Sequence, residues 1–184
     1  DSLGAVKVSA IDSIATRNLS GSLQLGATAA VGAAVSYTLS NARVITDVDA
    51  TVVAESLLTT AQSKALKDEP AVKVESYTGA AGFGAGIGAA VSVAEMNNIV
   101  SVKLAGDQRY NSSLNASAAD SLGLSVTADG AAFGAVAAGL VIGTGLRDSE
   151  VGGSVAADSK LSANGINLSA QGAGALEVTT VGAA

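Results

Sequence analysis

The sequence predicts an all-β solenoid, in which short strands wind coil upon coil into parallel stacks. Three observations carry this: a motif that recurs at long intervals, apolar residues that alternate with polar ones, and a hydrophobic content made almost wholly of small aliphatic side chains.

The recurrence comes first, because tandem units decide the architecture before any local propensity does. Gly32-Ala33-Ala34-Val35-Ser36-Tyr37 returns as Gly88-Ala89-Ala90-Val91-Ser92-Val93. An Asn follows the first Gly of each copy by nine residues, Asn41 and Asn97, and leads into a β-branched run. A degenerate third copy spans Ala135 to Ile142, and Val181-Gly182-Ala183-Ala184 reads as the start of a fourth. A second element precedes these. Val72-Lys73-Val74 leads into Gly79 to Gly84, Leu124-Ser125-Val126 into Gly130 to Gly134, and Ile166-Asn167-Leu168 into Gly172 to Gly174. Val6-Lys7-Val8 matches the opening of this element with a different continuation. Variable spacing around a constant motif is what loops inserted into a solenoid produce. With about 20 to 25 residues per coil and ~4.8 Å between strands, the rod would be roughly 40 Å long.

Within the unit the period is two. Val6/Val8/Ala10, Leu23/Leu25, Val48/Ala50/Val52/Ala54, Val102/Leu104 and Leu122/Leu124/Val126/Ala128 alternate with Ser, Thr, Asn, Lys, Asp or Glu, one face buried and one wet. Gly, Asn and Asp punctuate the strands, as turns require. Such strands also suit a sandwich or barrel; the tandem motif favours the coil. Hydrophobic residues make up 48% of the 184 but aromatics only 3%, so the interior must be narrow and filled by Ala, Val, Leu and Ile. The Gly/Ala-rich runs break the alternation, being apolar on both faces, and are expected to lie under an extra layer or against a neighbouring chain. One stretch departs from the β pattern: Leu57, Leu58, Ala61, Ala65 and Leu66 fall near a helical period with Pro70 beyond. It predicts a short helical or loop insertion near 55–68.

Composition excludes several functions. Without Cys there is no disulfide scaffold or thiolate metal site, and without His the commonest general base and zinc ligand are missing. A net charge of -6 with ten scattered Lys and Arg argues against nucleic acid. No segment of the 184 residues reads as a signal peptide: Asp1-Ser2-Leu3-Gly4 opens directly into patterned sequence. The uncharged stretches Gly79 to Ala94 and Gly130 to Leu146 are shorter than the roughly 20 residues of a spanning helix. Gly82/Gly86 and Gly139/Gly143 match helix-dimerising spacing, which leaves a transmembrane hairpin as the minor alternative.

The succession of a GAAVSV motif, an Asn-containing turn, a β-branched strand, then a Val-x-Val-x-Ala strand and a Gly/Ala run resembles the filamentous-haemagglutinin-like family of Gram-negative exoproteins and autotransporter passengers. The similarity covers nearly the whole chain. It implies a right-handed parallel β-helix, passage through an outer-membrane transporter, an extracellular or cell-surface location, and a role in cell adhesion or biofilm contact. It supplies no catalytic residues. On that resemblance the chain, 1–184, is a single β-solenoid segment internal to a longer repeat protein. Its partners would be neighbouring repeats or copies of itself end to end, and surface glycans or proteins.

Candidate chemistry is sparse. Asp47 with Asp49 on one strand, Asp107 with Arg109, and Arg147-Asp148-Ser149-Glu150 are the charged groups that would serve a carbohydrate-active β-helix enzyme. Alternating acids more simply form the solvated face of a strand. Gly152-Gly153 lacks the Asp that a calcium-binding roll places after its glycines, and the acidic residues never recur in register. The expectation is therefore no catalytic site, no metal, no cofactor and no nucleic acid. A structural adhesin rod is favoured over two rivals, a self-assembling filament or surface-layer subunit and a carbohydrate-active enzyme.

Overall fold

A flat coil needs strands to run out, reverse and return. In the computed structural model, which describes residues 3–67 and 69–184, each turn of this chain does so with four strands. In the first turn β1 (Ala5–Ile14) and β2 (Thr16–Gly26) run outward nearly end to end, β3 (Ala29–Asp49) returns, and β4 (Val52–Ala54) closes the turn. The second turn repeats this with β5 (Ser56–Ala65), β6 (Val72–Gly82), β7 (Ala85–Ala105) and β8 (Asp107–Tyr110). The third uses β9 (Ser113–Asp120), β10 (Leu124–Phe133), β11 (Val136–Val155) and β12 (Lys160–Ser162). The fourth contributes β13 (Gly165–Gly172) and β14 (Leu176–Ala183).

Equivalent strands stack into four parallel sheets, ordered β1-β5-β9-β13, β14-β10-β6-β2, β11-β7-β3 and β12-β8-β4. The sheet of long strands packs across from both of the first two. Register follows the repeated motif: Gly32 stacks on Gly88 and Gly139, and Val35 on Val91 and Ile142. Asn41 and Asn97 lie inside uninterrupted strands, not turns, and the Asn97 amide donates to the Asn41 side-chain oxygen at 3.2 Å, a ladder between neighbouring turns.

The interior is graded along the strand direction. Near β4, β8 and β12 it is aliphatic: Leu57 and Leu114 stack between Val6 and Ile166, facing Val44, Val100 and Leu104. The middle holds Met96, Val72, Val74, Leu122, Leu124 and Val126. Beyond Val74 the interior narrows to Ser20, Ser36, Ser76, Ser92, Thr78, Ala80, Ala90 and Gly88. The Ser36 hydroxyl donates to the Glu75 carbonyl at 2.8 Å and lies 2.8 Å from Ser20 Oγ. Ser92 donates to the Thr127 carbonyl at 2.6 Å and meets Ser76 Oγ at 2.7 Å. Gly is required here by close approach. A Cβ at Gly88 would come within 2.9 Å of the Ala131 carbonyl oxygen, and one at Gly32 within 3.0 Å of that of Gly79.

Several expectations are corrected. The insertion near 55–68 is not helical: β5 covers Ser56–Ala65, with Leu57, Thr59, Ala61 and Ser63 buried in alternation. Stacking between β1 and β9 imposes period two and overrides a short-range helical spacing. What is inserted is the connection from Leu66 to Ala71, longer than the single residue Ala15 or the three residues 121–123 at the same corner. Asp68, the last residue of the expected insertion, and the opening Asp1-Ser2 lie outside the described residues.

The coil is also larger than 20 to 25 residues. Paired positions lie 51 apart at Ala5 and Ser56, and 57 apart at Leu57 and Leu114, so the whole repeating unit is one turn. The long axis therefore runs along the strands, ~70 Å for the 21 residues of β3, while four stacked strands rise only roughly 14 Å. Ile166 and Val6 do not align with Val72 and Leu124. They stack with Leu57 and Leu114, and Leu176 is the true counterpart of Leu124. Val181-Gly182-Ala183 likewise pairs with Asp129-Gly130-Ala131, so it repeats the second element and does not begin a fourth copy of the first.

Val72, Val74, Leu124 and Val126 are buried, whereas Ile166 and Leu168, which carry the same alternation, are exposed because β13 has a neighbour on one side only. Ser125, expected on the wet side, is buried between Lys73 and Glu177 of adjacent strands. The Gly/Ala runs of β6 and β10 pack against those of β7 and β11, and their outer faces are left open.

Candidate functional site

The charged residues singled out from sequence do not converge. Asp47 and Asp49 share the exposed side of β3, stacked on Lys103 and Ala105. Asp107 and Arg109 are exposed on β8, in a different sheet, where Asp107 stacks on Lys160. Alternation splits the third group: Asp148 and Glu150 face solvent, whereas Arg147 and Ser149 turn inward above Met96 and Asn98.

That inward turn builds a network that sequence reasoning missed. Asp120, at the end of β9, is fully buried and pairs with Arg147 Nη2 at 2.9 Å. Its Oδ2 also accepts from Asn98 Nδ2 at 3.2 Å and from the Ser149 hydroxyl, and its Oδ1 accepts from the Leu122 amide at 3.2 Å. Both carboxylate oxygens are thus occupied by donors from the long-strand sheet and from the β9–β10 corner. A carboxylate so engaged is a clamp, holding a corner to the opposite sheet between the two aliphatic clusters. Asp120 carried no signal in sequence, because its partner Arg147 lies 27 residues away on another sheet.

A second cluster centres on Glu75. Arg17 Nη2 lies 2.7 Å and Lys73 Nζ 3.2 Å from its oxygens, and the Tyr77 hydroxyl donates to Oε1 at 2.8 Å. Burial raises the Glu75 carboxyl, but the hydrogen bonds from Tyr77, Lys73 and Arg17 and the charge of Lys73 outweigh it, leaving the group below its ordinary value. The bond to Glu75, then burial and the Glu75 and Asp129 charges, push the Tyr77 phenol up. Arg17 and Lys73 thus hold the Glu75 carboxylate in its ionised form.

The most exposed hydrophobic surface surrounds the Gly/Ala/Ser end. At the turns joining β2 to β3, β6 to β7 and β10 to β11, Leu25, Phe83 and Phe133 border an open apolar hollow with Ala27, Ala81 and Ala135. Phe83 is 89% exposed and Leu25 76%. Of the five aromatic residues only Tyr110 is buried, its hydroxyl donating to Gln108, which in turn donates to the carbonyls of Val48 and Ala105. Among the described residues no group of three His, Cys, Asp or Glu stands close enough to hold a metal ion. No protein-family model, curated protein or solved structure matches the chain.

Proposed function

We propose that the chain is a rod segment of a secreted or surface-exposed bacterial adhesin, in which a right-handed parallel β-helix presents its outer faces to other cells. The observation that carries this reading is the unbroken in-register stacking of every strand from turn to turn. A parallel stack has no internal limit to its length, so it suits reach and presentation. Handedness rests on the strong right-handed preference of parallel crossover connections. The proposed location is the cell surface, reached through an outer-membrane transporter, with surface glycans or proteins as partners.

Beads coated with the chain should be retained on bacterial or epithelial cell layers above beads coated with the heat-unfolded chain. Equal retention overturns the adhesive half of the reading; a left-handed crossover in an experimental structure overturns the architectural half. A second reading, a self-assembling extracellular filament or surface-layer subunit, is favoured by the unpaired outer edges of β1, β2 and β3 at one end of the stack and of β13, β14 and β11 at the other. Such edges pair readily with another chain. Lateral or end-to-end polymers of the isolated chain, seen by sedimentation at rising concentration, distinguish this second reading from the first.

A further inference from the structure

The inside-out pattern of the thin end is the strongest unassigned feature of the molecule. From Val74 outward the small hydroxyls point in and are paired, while Val31, Val35, Leu25, Phe83, Phe133 and Leu140 point out. The uncharged stretches are long: residues 18–42, 76–94 and 130–146 carry no charge, and each is bounded on both sides by one, Arg17 and Arg43, Glu75 and Glu95, Asp129 and Arg147. Folding brings all three to the same end of the slab, so an uncharged apolar fin projects beyond a charged collar.

The geometry points to a lipid surface as what this fin meets, its aromatic tip wedging into the headgroup and acyl boundary. Two features select that occupant. The tip residues Leu25, Phe83 and Phe133 come from three successive turns and stand largely exposed around an open apolar hollow, which a fluid lipid surface fills without a shape-matched partner. Polar groups turned inward and apolar ones outward are also what strands in lipid require. A second copy docked on the long-strand face alone falls short. That face offers three strands by about ten residues, roughly 460 Å², against about 800 Å² per partner for a stable pair. Insertion is shallow, about 5–10 Å, which at about 3.3 Å per residue takes in the two or three residues of each strand nearest the tip.

The inference stands apart from the adhesin reading, and its test uses a different readout. The chain has no Trp, so Phe83→Trp is a single reporter at the tip and Val53→Trp, on β4 at the opposite end, is its control. With phosphatidylcholine vesicles, Phe83→Trp emission should shift to the blue and Val53→Trp emission should not. Phe83→Ser with Phe133→Ser should lower vesicle-bound protein about tenfold while leaving the circular dichroism unchanged, since both side chains are largely exposed. An unshifted Phe83→Trp emission at saturating vesicles, or equal shifts in both reporters, overturns the proposal. A shift that appears with rising protein concentration and no vesicles overturns it too, and assigns the fin to a second copy of the chain.

Discussion

The two ends of the slab share one backbone plan and opposite chemistry. At the β4/β8/β12 end Leu57, Leu104 and Leu114 fill the gap between sheets, and Asp47, Asp49 and Lys103 face water. At the other end Gly32, Gly88, Ser76 and Ser92 occupy the interior, and Val35, Tyr37, Leu39 and Leu140 lie outside. In-register stacking therefore does not need a large aliphatic core. One end is held by burial of apolar area, the other by backbone ladders, close sheet approach and paired hydroxyls. The ends should respond to mutation in different ways.

The largest expected effect lies at the boundary between them. Asp120→Ala leaves the Arg147 guanidinium, 16% exposed, without its carboxylate, and should lower unfolding free energy by about 3–5 kcal/mol in denaturant titrations. Next is the aliphatic end, where Leu114→Ala should cost about 2–5 kcal/mol, since a fully buried Leu between two stacked neighbours leaves a cavity. The thin end should show the reverse sensitivity. Enlarging matters there, and Gly88→Ala should destabilise by about 1–3 kcal/mol through its collision with the Ala131 carbonyl. If Gly88→Ala proved neutral while Leu114→Ala kept its cost, close sheet approach would not be what holds the thin end.

Smaller effects sharpen the contrast on the outer surface. Glu75→Gln should cost about 1–2 kcal/mol at neutral pH. The Glu75 carboxyl is held below its ordinary value of 4.5, so its stabilisation is present above that pH and is lost as pH falls through the lowered value. The difference between wild type and Glu75→Gln should therefore shrink in acid; a difference that widened would contradict the assigned pairing. Smallest of all, Asp47→Asn with Asp49→Asn should move stability by no more than about 0.5 kcal/mol, as exposed strand-face residues do.

Much of the fold was legible, and the failures have physical causes. The stacking of Val35 over Val91 could be read from the repeat, and so could the inward Val72, Val74, Leu124 and Val126. The misplacement of Ile166 arose because two different strands of each turn, β5 or β9 and β6 or β10, carry similar alternating patterns. Local sequence does not say which sheet a strand joins. The Leu57 to Leu66 spacing suits a helix in isolation, and neighbours on both sides made it a strand. The charged clusters were named, but Asp120 was not, because its partners come from another sheet.

Sequence alone determined the period of two, the repeating unit and the small-residue interior, since these follow from side-chain size and spacing along the chain. Only the tertiary structure decided that one unit is one turn, that the Gly/Ala runs pack on each other, and that the apolar residues of one end face outward. A period of two says that the two faces of a strand differ, but not which face is inside. That choice depends on how closely the opposing sheet approaches, and here Gly88 and Ala131 bring the sheets too near for any side chain but the smallest.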